Sequence, residues 1–282
     1  MKVVLLAGGL GTRLAEETEI RPKPMVEIGG RPILWHIMKL YAAADVREFV
    51  LCLGYRGAMI KDYFLHYHAQ NSDISLDLAS GDVHLHRRHR EDWRVTLVDT
   101  GLDSMTGARV KRIAPYIGED DVFLCTYGDG LADIDIAALI AFHRSHGRLA
   151  TVTGVTPPSR FGRLVADGST VNTFAEKPVD GDEQINGGFF VFDRRVLDRL
   201  GDDPSCVLER EALEDLARDR QLRVYEHRGF WQCADTVRDV ELLRALWKDG
   251  TAPWRVWDDR AVDQPVDVER RANPRARLEE AA

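Results

Sequence analysis

The sequence has few cysteines, no long hydrophobic run and no excess of positive charge. Its four cysteines, Cys52, Cys125, Cys206 and Cys233, are scattered without a C-x-x-C pair, so neither a zinc ribbon nor a disulfide framework is predicted. Apolar runs such as residues 3–7 are far shorter than the ~20 residues that cross a bilayer. The chain opens directly into a strand-like pattern without signal-peptide features. We therefore expect a cytoplasmic protein with reduced thiols that is neither secreted nor membrane-embedded.

The charge balance is acidic, with 46 Asp and Glu against 38 Lys and Arg and a net charge of −8. A long-range basic field of the kind that attracts nucleic acid is therefore absent. An acidic protein can still bind an anionic ligand where local bases or a metal ion reverse the potential. The informative places in this sequence are thus glycine-rich loops next to basic residues, and isolated carboxylates that suit a metal ion.

Strand-like and helix-like patterns alternate along most of the chain. The predicted strands cover residues 2–7, 48–53, 94–98, 121–127, 149–155, 171–175, 188–193 and 221–226. The predicted helices cover residues 32–44, 57–69, 133–146, 194–200, 205–218 and 236–248. This alternation predicts an α/β fold with an open, largely parallel sheet and helices on both faces.

Two segments depart from this alternation. Residues 70–92 are polar and end in His84-Leu85-His86-Arg87-Arg88-His89-Arg90, which fits a metal site, a basic phosphate patch or a solvated hairpin, and the hairpin is the favoured interpretation. Residues 258–282 lose periodicity and aromatic residues, which is typical of a disordered tail. We expect one catalytic domain over residues 1–257 followed by that tail.

A glycine-rich loop follows the first predicted strand. Gly8, Gly9 and Gly11 let backbone N–H groups approach phosphate oxygens closely. Thr12 adds a hydroxyl donor, and Arg13 adds a planar charged fork suited to phosphate. The loop lacks the third glycine of G-x-G-x-x-G and the Gly-Lys-Ser/Thr ending of a P-loop. A phosphate-binding loop is favoured over a plain glycine-rich turn.

A lysine held between two prolines comes ten residues later. Pro22 and Pro24 each fix a backbone φ angle, so Lys23 is presented with little loss of conformational entropy. Together with the glycine-rich loop, this lysine predicts a site for phosphate groups.

Two aspartates are candidates for a metal site. Asp129, between Gly128 and Gly130, follows a predicted strand, where ligands of open α/β sheets bind. One or two carboxylates plus substrate phosphates suit Mg²⁺, and Asp235 is the best second carboxylate. A Gly-Asp-Gly turn and a helix-capping role for Asp235 are the alternatives.

Two shorter strings suggest contacts to a sugar phosphate. Lys177 in Glu176-Lys177-Pro178 could hold a phosphate, and Asn186 with Gly187 offers an amide and bare backbone for sugar hydroxyls. Either string alone is also typical of a loop.

Taken in order, these motifs resemble a known enzyme family. Residues 6–13, 22–25, 128–130 and 176–178 resemble the sugar-phosphate nucleotidylyltransferases. Residues 26–30, 33–39, 98–101, 104–107, 126–130, 185–190 and 230–232 resemble, more narrowly, the branch that transfers a cytidylyl group to glucose 1-phosphate. The resemblance covers residues 1–257. It implies a Rossmann-like fold of the nucleotide-diphospho-sugar transferase type, with an open, mostly parallel mixed sheet.

The resemblance also implies a reaction. CTP and α-D-glucose 1-phosphate would give CDP-glucose and pyrophosphate, with Mg²⁺ as the cofactor, and the product would serve surface polysaccharide synthesis. It implies a cytoplasmic enzyme that associates into a homo-oligomer and binds neither nucleic acid nor a membrane. Open alternatives are another nucleotide (UTP, dTTP or GTP), another hexose 1-phosphate, a catalytically silent regulatory relative, or a nucleotide-sugar glycosyltransferase.

Residue roles follow from the same resemblance. The implied catalytic residues are Arg13, Lys23 and Asp129, and the implied metal ligands are Asp129 and Asp235. The implied nucleotide-binding residues are Leu6, Ala7, Gly8, Gly9, Gly11, Thr12, Arg13, Lys23, Thr106, Gly107 and Tyr127. The implied sugar-phosphate-binding residues are Glu176, Lys177, Asn186 and Gly187.

Overall fold

The computed structural model describes residues 1–86, 91–157, 163–167, 169–175 and 184–258. They divide into a larger unit, Met1–Gly57 with Trp93–Trp257, and a second unit that contains Ala58–Asp92. Glu176 and Lys177, residues 87–90 of the histidine-containing stretch and the predicted tail from residue 259 lie outside the described residues. Of Arg13, only the backbone is described.

The strands agree with the predicted set and add several short ones. They are β1 (Lys2–Leu6), β2 (Glu27–Ile28), β3 (Arg31–Pro32), β4 (Glu48–Leu53), β5 (Ile74–Leu76), β6 (Val83–Leu85), β7 (Arg94–Asp99), β8 (Val122–Tyr127), β9 (Gly130–Ala132), β10 (Ala150–Val155), β11 (Arg163–Asp167), β12 (Thr170–Ala175), β13 (Ile185–Asp193), β14 (Leu222–His227) and β15 (Trp231–Cys233).

The helices are α1 (Ala15–Thr18), α2 (Ile33–Ala43), α3 (Gly57–Leu65), α4 (Tyr67–Gln70), α5 (Thr106–Arg112), α6 (Ala114–Ile117), α7 (Ile136–His146), α8 (Leu213–Arg218) and α9 (Val237–Lys248). The predicted helix over 194–200 is a 3₁₀ turn, Arg194–Arg199. The predicted helix over 205–218 begins as a π-helical turn, Leu208–Ala212, and continues as α8. Among the described residues, no helix is both long and apolar enough to cross a lipid bilayer.

A seven-stranded sheet forms the centre of the larger unit, in the order β14-β10-β13-β8-β1-β4-β7. β13 runs antiparallel to β8 and to β10, and the other neighbouring pairs are parallel. The predicted α/β fold with a mostly parallel mixed sheet is confirmed.

Helices cover both faces of this sheet because successive side chains of a strand point to opposite sides. Phe190 of β13 belongs to the same apolar cluster as Val110 of α5 and Leu216 of α8. The preceding residue, Phe189, faces the other way and contacts Tyr41 of α2, with ring centroids 6.2 Å apart. Burial on both faces explains why the strands read as nearly continuous apolar runs.

The second unit contains the hairpin of β5 and β6, which pair antiparallel. Ile74, Leu76 and Val83 are exposed in it, and Ser75 Oγ lies 2.6 Å from His86 Nε2. The hairpin interpretation of residues 70–92 therefore holds for the part of this stretch that the structure describes.

Candidate active site

The sheet order brings the predicted site loops to one edge. β1 and β8 are parallel neighbours, with Leu6 opposite Tyr127, so the loops that follow them emerge side by side. β13 runs the other way and begins at this edge, which adds Asn186 and Gly187. The carboxyl edge of an open α/β sheet is where such folds bind ligands.

A cavity of about 810 Å³ opens at this edge. Its lining includes most of the predicted nucleotide-binding residues, namely Leu6, Ala7, Gly8, Gly9, Gly11, Thr12, Lys23, Thr106 and Tyr127, and also Asp129, Asp235, Asn186 and Gly187. Gly107 is not in the lining: it is buried in α5, where an added Cβ would lie 2.7 Å from Cys206 Sγ. The structure thus brings residues from distant parts of the chain into one cavity.

Lys23 lies between the two predicted metal ligands. Its Nζ donates to Asp129 Oδ2 at 2.6 Å and to Asp235 Oδ1 at 2.5 Å. The lysine side chain is 9% exposed, against 27% for Asp129 and 17% for Asp235. We call these three residues the lysine–carboxylate cluster.

The turn that carries Lys23 can approach Asp129 because Gly128 has no side chain. Lys23–Met25 forms a 3₁₀ turn preceded by Pro22 in an extended conformation. A Cβ on Gly128 would lie only 2.9 Å from Pro24 Cγ, so any larger residue would push the turn away. The glycine before Asp129 therefore permits the contact between lysine and carboxylate.

A short ribbon brings Asp235 to the same place. β15 pairs antiparallel with β9, with Cys233 opposite Gly130, and Ala234 N donates to Asp129 O at 2.9 Å. The helix-capping alternative for Asp235 is wrong, because Thr236 is the N-cap of α9 and forms a capping box with Asp239. Asp235 is left facing the cavity.

Electrostatic interactions keep Lys23 protonated. Burial by itself would lower the pKa of Lys23, but the neighbouring charges and hydrogen bonds of Asp129 and Asp235 outweigh it and raise that pKa. One positive and two negative charges leave the cluster with a net negative charge. A polyphosphate would be repelled here unless a cation accompanied it.

The donor set fits Mg²⁺ brought in with a phosphate ligand. Carboxylates of Asp129 and Asp235 converge on one point, the Lys23 ammonium. In the part of the chain that the structure describes, no group of three or more His, Cys, Asp or Glu side chains is placed to hold a metal ion. Mg²⁺ ordinarily uses one or two carboxylates and takes its other ligands from water and substrate phosphates.

A second set of polar side chains in the cavity is built around Glu209, which the sequence analysis missed. Its carboxylate accepts from Thr106 Oγ1 at 2.6 Å and from the Tyr127 hydroxyl. Asn186 Nδ2 donates to that hydroxyl at 3.1 Å. We call Glu209, Thr106, Tyr127 and Asn186 the Glu209 network. In the sequence, Glu209 is simply a glutamate within the predicted helix 205–218, and such a position is ordinarily solvated.

Arg109 is another lining residue that the sequence analysis did not assign to the site. It is 4% exposed, and its guanidinium donates to the carbonyl oxygens of Gly8, Leu53, Gly101 and Leu102 and to Thr100 Oγ1. Burial is the main cause that lowers the pKa of Arg109. A Cβ on Gly8 would lie 2.3 Å from its Nη1. Because Gly8 has no side chain, the Arg109 guanidinium fits against it.

Comparison with known proteins identifies the family to which this chain belongs. The model of the Nucleotidyl transferase family matches residues 2–249. The chain belongs to the nucleotidyl transferase family. The resemblance inferred from the motifs is thereby confirmed.

This nucleotidyl transferase resembles curated proteins over nearly all of its length. It is 51% identical to "Glucose-1-phosphate cytidylyltransferase" of Salmonella typhi over 258 residues, which cover 92% of this chain and 100% of that protein. It is 45% identical to "Probable glucose-1-phosphate cytidylyltransferase" of Bacillus subtilis (strain 168) over 257 residues, 91% of this chain and 100% of that one.

Solved structures share its fold. UTP-bound UGPase from Acinetobacter baumannii superposes with a TM-score of 0.63 at 18% identity, covering 87% of this chain and 92% of that one. At that identity the likeness supports the Rossmann-like fold of the nucleotidyl transferase alone.

Proposed function

We propose that this nucleotidyl transferase transfers the cytidylyl group of CTP to α-D-glucose 1-phosphate, giving CDP-glucose and pyrophosphate. The observation that carries the proposal is the lysine–carboxylate cluster in the cavity beside the glycine-rich loop, because it combines a phosphate-binding cation with two carboxylates for a metal ion. The choice of CTP and glucose 1-phosphate is supported by the curated relatives, which this chain matches from end to end.

The reaction needs charge neutralisation more than proton transfer. The attacking group is a phosphate oxygen of the sugar phosphate, which is mostly dianionic at neutral pH because its second pKa is about 6. A general base is therefore unnecessary. The obstacle is repulsion between this dianion and the triphosphate, and catalysis of phosphoryl-type transfer relies on positioning and electrostatic stabilisation.

Residues of this cavity are proposed to supply both the positioning and the electrostatic stabilisation. Asp129 and Asp235 would hold Mg²⁺, which would neutralise phosphate charge. Lys23 is proposed to stabilise the departing pyrophosphate, which is supported by the location of its ammonium in the cavity and by its raised pKa. Arg13 is proposed for the same role, and Glu176 and Lys177 for the sugar phosphate. The Oδ1 of Asn186 accepts from Gly188 N, which fixes the orientation of the amide. Among the described contacts, its Nδ2 donates one N–H to the Tyr127 hydroxyl, and the other N–H is proposed to bind a sugar hydroxyl.

Direct in-line attack on the α-phosphate is the mechanism that we propose. It is motivated by the absence of a nucleophile–base pair in the sequence. It predicts inversion at a chiral α-thiophosphate analogue of CTP. Retention of configuration would instead require a covalent intermediate.

The proposal is tested by pyrophosphate release from purified protein with Mg²⁺ and glucose 1-phosphate. CTP, UTP, dTTP, ATP and GTP are compared at equal concentration. Preference for CTP supports the proposal, whereas preference for another nucleotide keeps the transferase chemistry and replaces the substrate. Absence of release with all five contradicts glucose 1-phosphate as the acceptor, and the same assay is then run with other hexose 1-phosphates.

Four further properties belong to this proposal. Mg²⁺ is the proposed metal ion. A cytoplasmic location is supported by four cysteines without disulfide partners. Residues 1–257 are proposed as the catalytic domain. Association into a homo-oligomer stays a prediction, to be checked by light scattering.

A further inference from the structure

The Glu209 network joins side chains from four separate segments of the chain. Thr106 begins α5, Tyr127 ends β8, Asn186 is the second residue of β13 and Glu209 lies in the π-helical turn Leu208–Ala212. Single π-helical turns are rare and often occur at functional sites. All four side chains line the cavity, so the contacts among them determine the shape of its wall.

Each hydroxyl in this network has its single proton committed to Glu209. Thr106 Oγ1 donates to the carboxylate and accepts from Leu208 N at 3.0 Å. The Tyr127 hydroxyl donates to the other carboxylate oxygen and accepts from Asn186. A hydroxyl has one proton and two lone pairs, so an ionised acceptor at position 209 fixes the direction of both hydroxyls and, through Tyr127, the amide of Asn186.

Close packing prevents these side chains from adjusting independently. Gly188 has a φ of +81°, and an added Cβ there would lie 2.5 Å from Tyr127 Cδ2. Trp231 Nε1 donates to Gly187 O at 2.8 Å, which holds the same strand. The Tyr127 ring is therefore confined, and its hydroxyl has little freedom to find another partner.

The charge of Glu209 is not neutralised within the described residues, where both partners of its carboxylate are hydroxyl groups. Charge-assisted hydrogen bonds of this kind are stronger than neutral ones. A negative charge in the wall disfavours phosphate beside it and favours hydroxyl and amino donors of a ligand.

We propose that Glu209 is a positioning residue that fixes Thr106 and Tyr127 on the nucleotide side and, through the Tyr127 hydroxyl, Asn186 on the sugar side, so that its removal weakens binding of both substrates. This inference rests on the proposed function and on the residue roles that the resemblance implies, with Thr106 on the nucleotide side and Asn186 on the sugar side. It adds that one carboxylate, itself not a ligand of the reacting phosphates, couples the two halves of the site.

The test compares kcat and KM for CTP and for glucose 1-phosphate across a set of variants. Glu209→Ala is expected to raise both KM values about tenfold, as expected for hydrogen bonds to a charged group, with kcat changed less than about threefold. Thr106→Val is expected to raise mainly the KM for CTP, and Tyr127→Phe is expected to raise the KM for both substrates, because the lost hydroxyl also holds Asn186. In the Glu209→Ala background, each of these two changes is expected to add less than about twofold, because its partner is already gone.

Two controls separate positioning from loss of structure. Glu214→Gln changes an exposed glutamate of α8 and is expected to leave all constants unchanged. Where Glu209→Ala fails to fold, Glu209→Gln keeps the volume, offers a neutral acceptor to one hydroxyl and none to the other, and the same two KM values are expected to rise by a smaller factor. Urea unfolding of each variant verifies the folded state.

The outcomes are distinct. Undiminished effects of Thr106→Val and Tyr127→Phe in the Glu209→Ala background would overturn the coupling, as would a fall in kcat alone. The wild type is assayed first, and its failure to release pyrophosphate from CTP would contradict the proposed function instead. An active wild type with unchanged KM values in Glu209→Ala would contradict the Glu209 proposal alone.

Discussion

At the level of single residues, the site depends on the balance of charge around Lys23. One ammonium contacts two carboxylates at 2.5 and 2.6 Å, and each carboxylate is held by a different part of the fold. The Lys23 ammonium relieves the repulsion between the carboxylates of Asp129 and Asp235. A divalent cation arriving with a nucleotide would relieve the same repulsion and leave the lysine to contact phosphate.

Replacing Lys23 with alanine is expected to lower kcat/KM for pyrophosphate release by about 100-fold or more. The loss corresponds to about 2.5–4 kcal/mol of transition-state stabilisation, the scale of one preorganised electrostatic donor. Lys61→Ala, at an exposed position of α3, is the matched control and is expected to be neutral. Activity of Lys23→Ala within about threefold of wild type would show that this lysine does not contact phosphate.

Asp129→Asn is expected to abolish Mg²⁺-dependent turnover while the fold is retained. The amide keeps the shape of the side chain and removes the charge that a hard cation prefers. The measurement is a Mg²⁺ titration of turnover, with circular dichroism as the check on folding. Asp219→Asn changes a surface aspartate paired with Arg199 and serves as the control. A titration curve identical to that of wild type would remove Asp129 from the metal site.

At the level of elements, the long strands and helices were predictable and the short ribbon was not. β4 has the predicted bounds, 48–53, because six consecutive residues carry one clear apolar pattern. β9 and β15 have three residues each, too few to show a period of two. The pairing that brings Asp235 beside Asp129 is therefore invisible in the sequence. The two aspartates were joined there by the need of a metal ion for a second carboxylate and by the motif resemblance.

The N-cap of α9 has a local sequence signal. The sequence analysis considered Asp235 as the capping residue, whereas the cap is the next residue, Thr236. Thr236 accepts from Asp239 N, and the Asp239 carboxylate accepts from Thr236 N at 2.9 Å. This reciprocal pattern is a capping box. A threonine followed three residues later by an acid at a predicted helix start is the feature that identifies the cap.

Thr236→Ala is expected to lower the free energy of unfolding by about 1 kcal/mol, the usual cost of losing an N-cap side chain. Helix α9 buries Val240 and Leu243 completely, so fraying at its start affects the packed core as well as the surface. Urea denaturation measures the change. Thr251→Ala removes a 3.4 Å hydroxyl contact to Leu246 O just beyond α9 and is expected to change stability by less than about 0.5 kcal/mol.

For the whole molecule, a buried histidine makes stability depend on pH. His143 of α7 is 4% exposed, and burial, followed by the charge of His146, lowers its pKa to about 4. Thr151 Oγ1 lies 2.9 Å from His143 Nδ1 and 2.8 Å from His146 Nε2. Asp193 and Arg144 are the other charged groups that act on this imidazole.

The free energy of unfolding is expected to fall as pH decreases from about 6.5 to about 4. In that window the unfolded chain binds a proton at His143 and the folded chain does not, so acid favours unfolding. His143→Gln is expected to reduce this loss by about 1–2 kcal/mol, less than the full pKa shift would give. Urea unfolding at several pH values measures both slopes, and equal slopes would contradict a neutral buried His143.

Both the sheet and the location of the site could be predicted from the sequence. Strand–helix alternation is a local pattern, and ligands of open α/β sheets bind at the carboxyl ends of the strands. The Glu209 network was not, because its four residues are far apart in the chain and each is ordinary in its own segment. Hydrogen bonds between distant segments depend on the packed structure, and a single sequence carries no record of them.

The contacts of Arg109 restrict how this chain can change by mutation. An added Cβ on Gly8 or on Gly54 would enter the space of the Arg109 guanidinium, with Nη1 at 2.3 Å and 2.6 Å respectively. A Cβ on Gly8 would also lie 2.9 Å from Gly54 N, and one on Gly54 would lie 2.6 Å from Gly8 O, so a side chain at either glycine requires both the arginine and the facing backbone to move. The effects of substitutions at Gly8, Gly54 and Arg109 on stability are therefore expected to be non-additive.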